Sequence, residues 1–199
     1  SARRAARCLA QARAKIKCVA MSLRLFLAVP IPESIADRLL TLEADVPGAS
    51  WRSVEQYHLT LRFIGDVDEA TARDLDVERG RIIAAPFEIA LSGVGSFGGR
   101  APSALWAGVA APPDLARLVT ACHTALRNSG LPPVSCKFKP HVTLAYLNGT
   151  LDHEVAHFLS DAAEFRTGSF LIDHFCMYAS RATRAGSHYT EEAVYPLIG

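Results

Sequence analysis

The chain lacks what a membrane, disulfide-bound or zinc-caged protein needs. No apolar run approaches the roughly 18 residues of a membrane-spanning helix. The five cysteines, Cys8, Cys18, Cys122, Cys136 and Cys176, are odd in number, scattered and never spaced Cys-x-x-Cys. That argues against a disulfide framework and a zinc cage, and it fits a reducing cytosol. Acidic residues are missing from residues 1–20, which hold six of the 21 Lys and Arg and leave 15 basic against 20 acidic residues in the remainder. A binder that works by bulk positive charge would not have that balance of −5. An anionic ligand must instead meet a local cluster of cations. The Ala- and Arg-rich segment 1–20 precedes the first methionine, Met21. It reads as vector-derived residues, a start assigned too far upstream, or a transit-like leader. Residues 21–199 are enough for one domain of two lobes, to which the segment 1–20 does not belong.

What the chain does have is an echo. His58-Leu59-Thr60-Leu61-Arg62-Phe63 and His141-Val142-Thr143-Leu144-Ala145-Tyr146 both read His-x-Thr-Leu-x-aromatic, 83 residues apart. Each is a short run of apolar, β-branched and aromatic residues, which predicts a strand. Side chains alternate faces along a strand, so His58 and Thr60 share one face while Leu59 and Leu61 point into a core. His141 and Thr143 stand in the same way above Val142 and Leu144. A core needs the leucines; it has no use for His and Thr repeated on the opposite face.

Around these strands the pattern predicts an α+β domain with pseudo-twofold symmetry. Strands are expected over residues 23–29, 87–91, 104–109, 165–172, 174–180 and 188–197. Helices are expected over 33–46, 68–84, 113–128 and 152–163, with a Gly-rich loop at 93–102. Trp51 and Arg52 read as a loop leading to the first repeat. Asn148-Gly149 and Gly186 suit antiparallel turns.

These residues resemble the two-histidine phosphoesterase superfamily, in its branch of RNA 2′,3′-cyclic phosphodiesterases, also called 2′–5′ RNA ligases. The resemblance is carried by both His-x-Thr-x motifs, Leu23 to Val29, Trp51, His58 to Gly65, Ala104-Leu105-Trp106, Lys139-Pro140-His141, Gly186 to Tyr189 and Tyr195-Pro196-Leu197. It implies two mainly antiparallel sheets lining a central cleft, with helices packed outside. It also implies hydrolysis of 2′,3′-cyclic phosphate ends to 2′-phosphate ends, with 2′–5′ ligation as the reverse reaction. His58 would be the proton donor and His141 the acceptor, with Thr60 and Thr143 on the phosphate. Histidine suits acid and base work because its pKa of about 6.5 lies near working pH. The residues alone do not order the two roles.

Arg62, Arg100, Lys137, Lys139 and Tyr146 are candidate substrate contacts, the last replacing a basic residue that the family leads one to expect. Phe97 and Tyr189 are further aromatic candidates. No metal and no cofactor is required, because the histidines carry the protons. The implied partner is an RNA end or a cyclic nucleotide, and the expected protein is a cytoplasmic monomer without an obligate protein partner. Three alternatives stay open: a phosphodiesterase acting on small cyclic or oligonucleotide phosphates, an RNA-end-binding module without activity, and a zinc hydrolase built on His153 and His157 with a distant third ligand such as Glu191.

Two motifs are read as decoys. His153-Glu154-Val155-Ala156-His157 matches His-Glu-x-x-His, but Ser160 and Ala163 stand where the extended zinc signature has Gly and His. Gly93-Val94-Gly95-Ser96-Phe97-Gly98 matches Gly-x-Gly-x-x-Gly, yet a strand follows where a dinucleotide site requires a helix. Cys122, Cys136 and His123 read as structural.

Overall fold

The computed structural model describes residues 23–67, 71–72, 75, 82–133, 137–183 and 186–199. The segment 1–20 and Cys136 lie outside them, as does most of the helix expected over 68–84; Thr71, Ala72 and Leu75 are helical, while 82–86 are not. The chain runs β1 (Leu23–Pro30), α1 (Glu33–Leu40), β2 (Ala49–Trp51), β3 (His58–Val67), β4 (Phe87–Phe97), β5 (Ala104–Ala110), α2 (Pro113–Asn128), β6 (His141–Leu147), α3 (Asp152–Asp161), β7 (Phe170–Ile172), β8 (His174–Thr183) and β9 (Gly186–Pro196).

All strand pairings are antiparallel. The order is β7-β4-β5-β6-β3-β1-β8-β9, with β2 also on β6. The two expected sheets are therefore halves of one path, β6-β5-β4-β7 and β3-β1-β8-β9. They meet at a single residue pair, Leu59 with Val142, each the residue that follows its motif histidine. The two halves are joined there, and a cleft between them is lined from both motif strands. Below the seam, Leu59, Val142 and Leu144 are fully buried and Leu61 nearly so. They share one core with Leu39 of α1, Leu118 and Cys122 of α2, and Phe158 of α3. The alternation read from the sequence thus sorts the two faces: helices and leucines on one, histidines and threonines on the other.

Several boundaries differ from expectation for identifiable reasons. Helix α1 stops at Leu40, not 46: the Leu42 and Glu43 amides turn back on the Leu39 and Leu40 carbonyls in tight i→i+3 bonds, and Val46 is buried in the turn that follows. Strand β4 runs on to Phe97 through the predicted Gly-rich loop. A bulge between Leu91 and Val94 uses the positive φ of Gly93, and the Trp106 indole lies where a Cβ on Gly95 would be, so these glycines serve the sheet. Trp51, expected in a loop, belongs to β2 and pairs with Ala145. The strand expected over 165–172 begins only at Phe170; Arg166 makes an isolated bridge to Ser92.

Candidate active site

Both motif histidines are anchored in the same way. His58 Nδ1 lies 2.8 Å from the Gln56 carbonyl and His141 Nδ1 lies 2.7 Å from the Lys139 carbonyl, in each case two residues back. A carbonyl only accepts, so each Nδ1 carries the proton and each Nε2 keeps its lone pair. Gln56 is itself fixed: its side-chain oxygen accepts from the Ser53 amide at 3.1 Å, and its Nε2 donates to the Ser187 carbonyl at 2.7 Å. Both rings also meet aromatic edges. Tyr189 stands edge-on to His58 at 5.1 Å, and Phe97 edge-on to His141 at 4.8 Å.

The two imidazoles share a cleft of about 460 Å³ with Thr60, Thr143 and Tyr146. The four residues of the repeated motif, drawn from strands 83 residues apart in sequence, thus converge on one opening. Arg24, Phe63, Ser180, Ser187 and Tyr189 complete much of its wall. Their surroundings make the histidines unequal. Burial pushes His58 down to about 4, against the hydrogen bond to Gln56; the charges of Arg52 and of His141 push the same way. His141 is also pushed down, first by burial and then by Lys139, with the hydrogen bond to the Lys139 carbonyl opposing.

The other predicted contacts divide. Arg62, Lys137 and Lys139 line an adjoining pocket of about 310 Å³ that shares Thr60, Phe63, Phe97 and His141 with the cleft. Arg62, expected beside Thr60 on the histidine face, is not in the cleft wall. Register shifts in the β1–β3 ladder pair Thr60 with Ala28 but Arg62 with Leu27 and Phe63 with Phe26. Phe63 therefore takes the cleft position, and the Arg62 guanidinium donates to the Pro132 carbonyl at 2.6 Å. The Lys139 ammonium sits 4.0 Å from the Trp106 ring centroid, a cation–π contact beside His141. Arg100 is exposed in the turn between β4 and β5 and lines neither cavity.

Sequence reasoning missed Arg52. It follows β2, is only 8% exposed, and stretches across the ring of Tyr146, the position where a basic residue was expected. A lone arginine in an apparent loop gives no signal; the short β2 that aims it was too brief to read.

The decoys behave as polar surface or scaffold. His157 pairs with Asp161 at 3.0 Å and His153 lies 3.6 Å from Glu154, both rings largely exposed. Among the described residues no three His, Cys, Asp or Glu side chains are grouped to hold a metal ion. Cys122 and Cys176 are buried thiols, neither joined in a disulfide.

The chain matches the model of the LigT-like phosphoesterase family over residues 29–106 and 109–189, which takes in both histidine strands. It is 28% identical to a Methanothermobacter thermautotrophicus protein named RNA 2′,3′-cyclic phosphodiesterase, over 89% of this chain and all of that one. A protein of the same name from Aeropyrum pernix is 31% identical over 68% of this chain and 78% of its own. A crystal structure from Thermus thermophilus superposes with a TM-score of 0.75 at 25% identity, covering 88% of this chain and 98% of that one. On the match across both motifs, and on a fold shared over 88% of its length, the chain belongs to the LigT-like phosphoesterase family.

Proposed function

We propose that this protein hydrolyses RNA 2′,3′-cyclic phosphate ends to 2′-phosphate ends without a metal, and that the same site runs 2′–5′ ligation in reverse. One observation carries the reading. Two imidazoles, each with Nδ1 tied to a backbone carbonyl, face one cleft from strands that touch at a single residue pair. Such a pair can flank a phosphorus atom, as an in-line displacement demands. A water on one side loses its proton to His141 Nε2 as its oxygen bonds to phosphorus. The P–O3′ bond breaks on the other side, and O3′ takes a proton from His58 Nε2. The products are a 2′-phosphomonoester and a free 3′-hydroxyl. Thr60 and Thr143 donate to the non-bridging oxygens, whose charge must be held in the transition state.

Without a bound anion His58 is neutral above about pH 4, and an acid must carry a proton. The anionic phosphate brings the charge that favours it, since an opposite charge within about 4–6 Å raises an imidazole pKa. The order of roles is tested with a 2′,3′-cyclic substrate bearing sulfur at the 3′ position. A thiolate leaves without an acid, so His58→Ala should be largely rescued on it and His141→Ala should not; rescue of His141→Ala alone would reverse the assignment.

Relatives named for RNA 2′,3′-cyclic phosphodiesterase activity and the cation-lined pocket beside the cleft favour an RNA end over a small cyclic nucleotide. No helix among the described residues is long and apolar enough to cross a membrane. Buried Cys122 and Cys176, neither in a disulfide, fit a reducing, cytoplasmic location. The deciding experiment incubates the protein, in excess EDTA, with an RNA oligomer ending in a 2′,3′-cyclic phosphate and identifies the product. A 2′-phosphate is expected, formed faster than from a cyclic mononucleotide. Activity only after zinc is restored would refute the metal-free mechanism, and binding without turnover would leave an RNA-end-binding module.

A further inference from the structure

A positive charge is buried behind the cleft wall, and the proton transfers proposed above leave it unused. Arg52 is 8% exposed. Its backbone amide donates to the Leu144 carbonyl at 2.8 Å, which ties it to the second motif strand. Its guanidinium lies 5.2 Å from the Tyr146 ring centroid and 5.7 Å from that of Tyr189, and donates to the Tyr189 hydroxyl oxygen at 3.2 Å. Among the described residues no carboxylate lies within ion-pairing distance of it. Burying a cation without a counter-ion is costly. That cost falls when an anion occupies the neighbouring cleft.

The hydrogen-bond inventory gives the direction. A guanidinium only donates, and a phenol oxygen has one hydrogen to give besides its acceptor lone pairs. With Arg52 donating to that oxygen, the Tyr189 hydrogen must be given elsewhere. Tyr189 lines the cleft, edge-on to His58. We propose that Arg52 is a positioning residue that turns Tyr189 into a charge-assisted donor to a non-bridging oxygen of the substrate phosphate. Arg52 itself stays buried. Because it hangs from the second motif strand while Tyr189 packs on the first motif histidine, the pair also couples the two halves of the site across the seam.

This rests on the phosphoester reading above, and the test separates the two. Dissociation constants for inorganic phosphate, and kcat/KM on the cyclic-phosphate RNA, are measured for the wild type, Tyr189→Phe, Arg52→Met, Arg52→Lys and the double variant Arg52→Met/Tyr189→Phe. Loss of a hydrogen bond to a charged group predicts a fall of about tenfold to a hundredfold in phosphate affinity for Tyr189→Phe. Arg52→Met should match it, the double variant should fall no further than either single, and Arg52→Lys should recover part of the loss. Unfolding midpoints accompany every variant; if Arg52→Met does not fold, the same cycle is run with Arg52→Lys. Losses that add in the double variant, or unchanged phosphate affinity in Tyr189→Phe, overturn the proposal. If the wild type binds phosphate with this coupling but never opens the cyclic substrate, the donor stands and the assigned activity falls. If it turns the substrate over but the losses add, the reverse holds.

Discussion

The burial of His58 should be measurable as a pH-dependent loss of stability. In the unfolded chain its imidazole titrates near 6.5; in the folded protein it is held down to about 4. Between those values the unfolded state binds the proton that the folded state refuses, so stability rises with pH across this window and is lost as pH falls from 6.5 towards 4. At pH 5 the unfolded imidazole is almost fully charged while about a tenth of the folded population is. Relative to pH 8 the difference is about 2 kcal/mol, approaching about 3 kcal/mol below pH 4. The perturbation is His58→Gln, which keeps a polar side chain and removes the titration. Urea unfolding of both proteins at pH 5 and pH 8, at fixed ionic strength, gives the comparison. The wild type should lose about 2 kcal/mol more than the variant between these conditions. His123, also pushed down mainly by burial, remains in both proteins and cancels; His141, pushed down in the same way, differs between them only through its charge on His58, the last of the causes acting there. Parallel pH profiles would refute the claim that this ring is held neutral by desolvation. Saturating inorganic phosphate should shrink the difference, because an anion in the cleft favours the imidazolium.

Thr60→Val and Thr143→Val keep the shape of the strands and remove the hydroxyls. Each should lower kcat/KM on the cyclic-phosphate RNA about tenfold to a hundredfold with the unfolding midpoint nearly unchanged; equal loss of stability would mark the hydroxyls as structural. Leu59→Ala removes a fully buried side chain at the pair that joins the two halves. Thermal unfolding should show a cost of about 2–5 kcal/mol, with a larger loss of activity per folded molecule than a core leucine such as Leu118 produces when cut to alanine.

The histidine strands were legible because two independent patterns coincide there: alternation with period two, and a polar pair repeated on the face that a core does not need. The helix from Pro113 to Asn128 was legible from its proline start and Gly130 stop. What the sequence hid depends on partners far along the chain. Nothing in residues 58–63 announces the register shifts that turn Phe63 into the cleft and Arg62 out of it; they are set by pairing with β1. The glycines at 93 and 95 read as a loop because their reasons, a bulge and the indole of Trp106, lie on another strand. Arg52 looked idle for the same cause, since the tyrosines that hold it are 94 and 137 residues away.

The site is built by repetition and made useful by departures from it. The repeat supplies equal parts: the same strand, the same carbonyl two residues back, the same threonine. Two equal imidazoles would compete for one proton, whereas hydrolysis needs one that gives and one that takes. The inequality comes from what the repeat does not copy. Phe26, Tyr189 and the buried Arg52 charge crowd His58, while His141 has Phe97, Trp106 and the more accessible Lys139. The more deeply desolvated ring responds most to an anion, because an unscreened charge acts most strongly where water is excluded. In the proposed roles, a substrate phosphate must therefore raise the pKa of His58 more than that of His141, and the deeper desolvation of His58 favours that direction.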